Sequence, residues 1–327
     1  MSSTAYILGL PEINNVTDLS RHMNLSVQRL YHLSFKTDLF YKQVEIKKKS
    51  GGHRNLSCPS SELKAIQAWI LRNILDHLPS SPYATGFVKG VSILDNAKRH
   101  IDNTYFYCMD IKNFFPSISG KYVYNLFKAL GYNKEVANLL KNYCTYNDRL
   151  PQGGVTSPAL SNLINTRLDR RIAGFTSKRN IMFTRYADDI TLSSRNADKL
   201  MSSRQSIEKI IVDEGYVINN EKSRLLRPGT RRSITGLIIN DQNEVRVNKD
   251  IKNLLRAKMH NLEYGSIEND AKQKLQAHIN GWLIFIYGVD KKSYEQLINY
   301  RNKMKNKHEH ENNGEDFELE YNDYVLF

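Results

Sequence analysis

Two adjacent acids, Asp188-Asp189, separate the short strand-like runs Met182–Ala187 and Ile190–Ser193, and no other feature of the chain restricts its fold as tightly. Within a continuous strand, neighbouring side chains point to opposite faces, so paired carboxylates would be divided between them. At a two-residue hairpin turn that alternation lapses, and both carboxylates can lie at one edge of a sheet. The segment therefore reads as two short strands joined at Asp188-Asp189. A third acid, Asp110, ends the aromatic and apolar run Tyr105–Met109, which is consistent with a buried strand. If these strands are neighbours, three carboxylates converge.

Such a cluster repels itself unless cations neutralise it, and hard oxygen ligands suit magnesium. Two such ions about 3.5–4 Å apart activate an attacking hydroxyl and stabilise a leaving phosphate oxygen. Asp188-Asp189 taken alone reads more simply as a polar hairpin turn. Asp110 at a strand end brings the metal reading level with it.

Around this centre, strand-like and helix-like segments interleave over residues 100–240, which argues for an α+β architecture with helices against a mixed sheet. Leu63, Ile66, Ile70 and Ile74 recur at three and four, predicting a helix over 61–78 that Pro79 ends. Before it, Lys42 and Lys47-Lys48-Lys49 lead into Gly51-Gly52 and His53-Arg54, the pattern of a hairpin with a charged tip. Residues 121–146 read as helical, and Pro151-Gln152-Gly153-Gly154 as a turn before a helix through Leu168. After Asn248, apolar stripes at Ile251, Leu254, Leu255 and Leu262, then Leu275, Ile279, Leu283 and Ile286, then Leu297, Ile298 and Met304 predict three helices.

Charge points to a partner. The chain carries 47 Lys and Arg against 34 Asp and Glu, a net of +13. Seven of those acids lie in residues 308–327, which contain no Lys or Arg, so the first 307 residues carry +20. A basic body of that size suits a polyanion, most simply nucleic acid, although a merely basic soluble protein has the same composition. Three widely spaced cysteines form neither a disulfide framework nor a zinc pattern. The longest apolar stretch, Gly281–Val289, falls well short of the ~20 residues of a bilayer span, and no secretory signal is visible. A cytoplasmic protein with no membrane partner is expected.

The motifs resemble those of reverse transcriptases. Tyr186-Ala187-Asp188-Asp189 looks like the family's tyrosine-any-Asp-Asp box. Met109-Asp110-Ile111 with Phe114-Phe115-Pro116-Ser117 matches its first carboxylate motif, and Leu150-Pro151-Gln152-Gly153 with Thr156-Ser157-Pro158 its Pro-Gln-Gly…Ser-Pro motif. Asn96-Ala97-Lys98-Arg99-His100 resembles the Asn-Ala-x-x-His box of bacterial retron enzymes. Ile234-Thr235-Gly236 resembles their Val-Thr-Gly box, with Ile in place of Val, and Gly281-Trp282-Leu283 looks like part of their thumb. The resemblance spans most of residues 8–305 and leaves out the acidic tail.

It implies a right-hand polymerase: fingers and palm over 1–245, with an antiparallel sheet flanked by helices, a basic helical thumb over 246–307, and the tail 308–327. It implies that Asp110, Asp188 and Asp189, with the Ile111 carbonyl, hold two magnesium ions. Phe115 would be an aromatic gate against ribonucleotides, or else a core phenylalanine. Arg54 and Gln152 would meet the incoming nucleotide, with Lys47 as a further candidate. Lys222 would protonate departing pyrophosphate, though a solvated lysine is as simple a reading there. Asn96, His100, Thr235 and Gly236 would bind or shape the site of RNA and primer. The implied partners are deoxynucleoside triphosphates, a cognate structured non-coding RNA, the RNA-linked DNA made from it (msDNA) and a separate effector protein in antiphage defence. A reverse transcriptase of the abortive-infection type would keep the three aspartates with another template. A non-catalytic RNA scaffold would not need them.

Overall fold

The computed structural model describes residues 6–47 and 51–313, which form two compact units, one ending at Pro228 and one beginning at Gly229. The first unit opens with helices α1 (Val16–Met23) and α2 (Val27–Phe35), followed by the antiparallel hairpin β1 (Tyr41–Lys47) and β2 (His53–Pro59). Lys47 pairs with His53, and of the charged tip expected between them residues 48–50 lie outside the described residues. Helix α3 (Ser61–Asn73) buries Leu63, Ile66 and Ile70. It stops short of the predicted end, and a 3-10 turn, Leu75–His77, completes the apolar stripe ahead of Pro79.

Helix α4 (Ile93–Lys98) precedes β3 (Tyr105–Asp110) and the single turn α5 (Phe114–Ser117). The segment read as one helix over 121–146 is two, α6 (Gly120–Ala129) and α7 (Lys134–Cys144). Gly131 at φ +101° breaks the run, and the Asn133 side chain accepts from the Val136 N–H to start the second helix. Helices α8 (Ser157–Ile164) and α9 (Thr166–Ser177) lead to β4 (Met182–Tyr186), β5 (Asp189–Ser194), α10 (Ala197–Asp213) and β6 (Arg224–Leu226).

Strands β4, β5, β3 and β6 form one antiparallel sheet in that order. Helix α9 packs on β4, and α10 on β3 and β5. Met109, Ile190 and Leu192 from the sheet join Ile172, Ile207 and Ile211 from those helices in the core. Each such side chain contributes about 1.5–3 kcal/mol on burial, which holds the strand ends in place.

The second unit holds the short antiparallel strands β7 (Ser233–Ile234), β8 (Leu237–Ile239) and β9 (Val245–Val247), then helices α11 (Lys249–Tyr264), α12 (Asn269–Val289) and α13 (Lys291–Asn313). The three expected stripes supply most of its core, with Leu255, Met259, Leu262, Ile279, Leu283, Ile286 and Leu297 packed together, but Leu254 is exposed and Met259 takes a place in the first stripe. Sequence patterning places a division near 245, but these strands belong with the helices. Val247 joins the helical core, and the buried Asp290 carboxylate accepts from Arg246 at 2.7 Å and from the Val247 N–H at 3.1 Å. The first residues of the acidic stretch continue α13 to Asn313; residues 314–327 lie outside the described residues. Among the described residues no helix is long and apolar enough to cross a membrane.

Candidate active site

The sheet brings the three acids to one end. Asp110, the last residue of β3, lies directly opposite Asp189, the first of β5. The Ile111 N–H donates to the Asp188 carbonyl at 3.0 Å, which ties the hairpin turn to the end of β3. The turn itself differs by one residue from the sequence expectation: Tyr186 pairs with Asp189, so Ala187-Asp188 are the turn residues. Asp189 is thus a strand residue, and the β3–β5 register makes it the cross-strand neighbour of Asp110, a pairing that sets Cβ atoms about 4.5–5.5 Å apart.

Like charges so placed disfavour ionisation. Burial, and then the Asp110 charge, push the Asp188 carboxyl above its ordinary range, against the opposing charges of Lys222 and Arg54. Asp189 is pushed up to about 6 by burial and by Asp188 and Asp110, with Lys222 and Arg224 opposing. Asp110 accepts from Lys222 Nζ at 2.8 Å and from Asn219 Nδ2 at 3.2 Å. That hydrogen bond raises the Lys222 ammonium above its usual value. The lysine thus supplies the nearest positive charge to a cluster that has a surplus of negative charge.

Among the described residues no three His, Cys, Asp or Glu side chains stand together at metal-ligating spacing, and Asp110 is turned onto Lys222 and Asn219. The donor chemistry fits a divalent cation all the same. Asp110, Asp188 and Asp189 offer only hard oxygens, and Asp188 and Asp189 are held above their normal range first by burial and then by like charge, which a cation relieves.

Phe115 is half-buried on the turn α5, with its ring centroid 5.4 Å from Phe114 and 6.1 Å from Phe87. Phe87 in turn lies 6.3 Å from Tyr186, so an aromatic chain runs from the candidate gate to the carboxylate hairpin. Gln152 lies on the loop before α8, where its carbonyl accepts from the Ser57 N–H of β2 at 2.8 Å. Gly153 stands at φ +121°, which favours glycine, and a Cβ there would crowd the Ser57 carbonyl oxygen at 3.0 Å. The basic hairpin is therefore latched to the Pro-Gln-Gly loop. Arg54 is exposed on β2, and its charge is felt at Asp188.

The sequence leaves Asn96 and His100 either to bind RNA or to shape its site, and their burial favours the second. Asn96 and His100 are fully buried, so neither side chain can touch RNA in this fold. Thr235 and Gly236 are instead at the surface of the second unit, forming the two-residue turn between β7 and β8, with Thr235 half-buried and Gly236 exposed.

Sequence reasoning missed three groups. Gln67 is fully buried: its amide donates to the Tyr41 hydroxyl and the Tyr143 carbonyl, and accepts from the Val155 N–H at 2.9 Å. A glutamine on the apolar stripe of α3 was the available signal. Arg224 on β6 acts electrostatically on Asp189. Beneath the turn, Arg185 and Asp169 form a fully buried two-armed ion pair, at 2.7 and 2.8 Å. Nothing in the local pattern announces it.

Comparison with known proteins gives the class first. The family described as reverse transcriptase (RNA-dependent DNA polymerase) matches residues 46–277, a span that includes every carboxylate of this site. The chain is 41% identical over 303 residues to the retron Ec86 reverse transcriptase of Escherichia coli, covering 92% of both chains. It is 31% identical over 318 residues to the retron Mx162 reverse transcriptase of Myxococcus xanthus, covering 86% of this chain and 65% of that one. This chain belongs to the bacterial retron reverse transcriptases. It is an RNA-directed DNA polymerase of the right-hand fold, taking an RNA template and nucleotide substrates, in a family that uses divalent metal ions. Among solved structures it is also similar to telomerase from Candida albicans, with TM-score 0.49 and 13% identity over 85% of this chain and 61% of that one.

Proposed function

We propose that this enzyme copies part of a cognate structured non-coding RNA into RNA-linked single-stranded DNA (msDNA), priming from a guanosine 2′-hydroxyl. The observation that supports it most is the end of the sheet, where Asp110 faces Asp189 and the Ile111 N–H holds the Asp188 carbonyl. Asp110, Asp188, Asp189 and the Ile111 carbonyl would hold two magnesium ions. Bound there, these would activate the primer hydroxyl and stabilise the leaving pyrophosphate oxygen.

The chain's own residues do the rest. Arg54 grips the triphosphate as a planar fork, and the Gln152 loop, latched to the same hairpin, lines the nucleotide. Phe115 excludes a ribose 2′-hydroxyl by volume. Lys222, already within hydrogen-bonding distance of Asp110, delivers a proton to pyrophosphate. Thr235 and Gly236 allow close backbone approach of primer or RNA, and the basic helices α11–α13 act as a thumb that grips the phosphates of an A-form duplex. The setting is cytoplasmic antiphage defence with a separate effector protein.

Sequencing the nucleic acid that copurifies with the enzyme tests this reading. A branched single-stranded DNA of fixed length is expected. RNA without attached DNA, from cells supplying all precursors, would overturn it.

A further inference from the structure

The Asn-Ala-x-x-His segment ends inside the protein, against the back of the carboxylate hairpin. His100 is hydrogen-bonded through Nε2 to the Thr184 hydroxyl at 2.8 Å and through Nδ1 to the Ser193 hydroxyl at 2.7 Å. Thr184 is on β4 and Ser193 on β5, so one imidazole spans both arms of the hairpin. A neutral ring needs one donor and one acceptor, and hydroxyls serve as either. Asn103 donates to the same Ser193 hydroxyl at 2.9 Å.

Asn96 reaches the turn by a second route. The Thr85 hydroxyl donates to Asn96 Oδ1 at 2.9 Å, with the Arg185 carbonyl oxygen at 3.2 Å. The segment around Thr85 runs beside β4: Arg185 N–H donates to the Tyr83 carbonyl at 2.9 Å, and Thr85 N–H to the Arg185 carbonyl at 2.8 Å. Next along this segment, Gly86 passes so close to the turn that a Cβ would lie 2.8 Å from the Ala187 nitrogen. Asn162 donates to the Gly86 carbonyl at 2.8 Å and accepts from Arg185 at 3.1 Å, while Arg185 also donates to the Ala187 carbonyl at 3.3 Å. Asn103 is half-buried, while Thr85, Asn96, His100, Thr184, Arg185 and Ser193 are buried and hydrogen-bonded, so these groups are coupled.

We propose that Asn96 and His100 are positioning residues for nucleotidyl transfer, holding the Asp188-bearing turn from its buried side, and that they do not read RNA. The proposal rests on Asp188 and Asp189 being the catalytic carboxylates. Reacting groups displaced by about 1 Å lose roughly 100-fold in rate, so a brace of this kind acts on the rate of chemistry rather than on affinity.

The test compares wild type, His100→Ala, His100→Gln and Thr85→Val on two templates: the cognate RNA, and a homopolymeric RNA with a DNA primer. Single-turnover extension separates the rate constant from the amplitude, which counts competent enzyme. The expected result for His100→Ala is a rate constant lower by about 100-fold on both templates, with unchanged affinity for the cognate RNA. His100→Gln, whose amide keeps a donor and an acceptor, should recover part of the rate. Thr85→Val reads the Asn96 arm with a smaller change if His100→Ala fails to fold. A loss confined to the cognate RNA would overturn the proposal, as would a lower amplitude at an unchanged rate. Asp188→Asn is run in parallel. Activity retained by that variant sinks the carboxylate assignment itself, whereas an inactive Asp188→Asn beside a template-selective His100→Ala sinks only the brace.

Discussion

Ala187-Asp188 and Thr235-Gly236 are both two-residue hairpin turns, and both begin with a non-glycine residue at positive φ, +55° and +47°. Left-handed backbone costs a side-chain-bearing residue about 1–2 kcal/mol, so each turn needs something to offset it. At Thr235 the answer is local. Gly236, at φ +88°, supplies the second positive φ of the turn without steric cost, and it stays exposed. At Ala187 the next residue is an aspartate, and the support comes from elsewhere in the chain: Gly86, Arg185, Asp169 and Asn162. Asp188 is not among the positive-φ residues, so the strain of this turn falls on Ala187 alone. Its geometry is then a property of the core behind it.

The largest expected effect breaks the first turn's chemistry. Asp188→Asn should lower primer extension by at least about a thousandfold while leaving RNA binding intact, as gel-shift titration would show. Appreciable residual extension would mean that the turn does not carry the reaction. Next comes its support. Asp169→Asn strands the Arg185 charge in the core and should cost about 3–5 kcal/mol in denaturant unfolding. A loss no larger than that of an exposed substitution would show that the turn does not lean on this pair.

The support of the first turn also titrates, and the second turn has no titratable group. Burial, with the Arg99 charge, pushes His100 down to about 3. The unfolded chain therefore binds a proton at this residue that the folded one refuses, and stability falls as pH drops from about 6.5 towards 3. His100→Gln should flatten that part of the stability-against-pH curve; an unchanged slope would mean that the imidazole is not held neutral. Phe115→Ala, at the other end of the aromatic chain from Tyr186, should relax sugar discrimination by about 10- to 100-fold in competition assays. Unchanged discrimination would leave Phe115 as a core residue. The smallest effect belongs to the second turn: Gly236→Ala, at φ +88°, should cost about 1 kcal/mol in denaturant unfolding, and an unchanged midpoint would mean that this turn does not depend on its glycine.

Much of the site was readable in advance because its signals are local. Asp110 follows an apolar run, the paired acids interrupt another, and the glycine-rich tip sits between basic strands. The three stripes after Asn248 became helices for the same reason. What was missed depends on what covers a face. Gly131 broke a periodic run that looked continuous through residues 121–146. Asn96 and His100, polar residues four apart, read equally as RNA contacts or as shapers of its site, whereas in the interior hydroxyls on β4 and β5 meet His100 and the Thr85 hydroxyl meets Asn96. Arg185 and Asp169 are sixteen residues apart and meet only because α9 packs on β4.

The sequence by itself determined that this chain is basic, mixed in secondary structure, and armed with three carboxylates in the order of a polymerase. The first two follow from composition and from the short-range periodicity of side chains along strands and helices, and the third from the resemblance of the motifs to a known family. Only the tertiary structure decided which residue faces which: Asp189 against Asp110, Lys222 on Asp110, and a buried polar layer under the turn. Strand register and core packing are set by contacts between residues far apart in the chain, and a one-residue change in where a turn falls reassigns every partner along the strand.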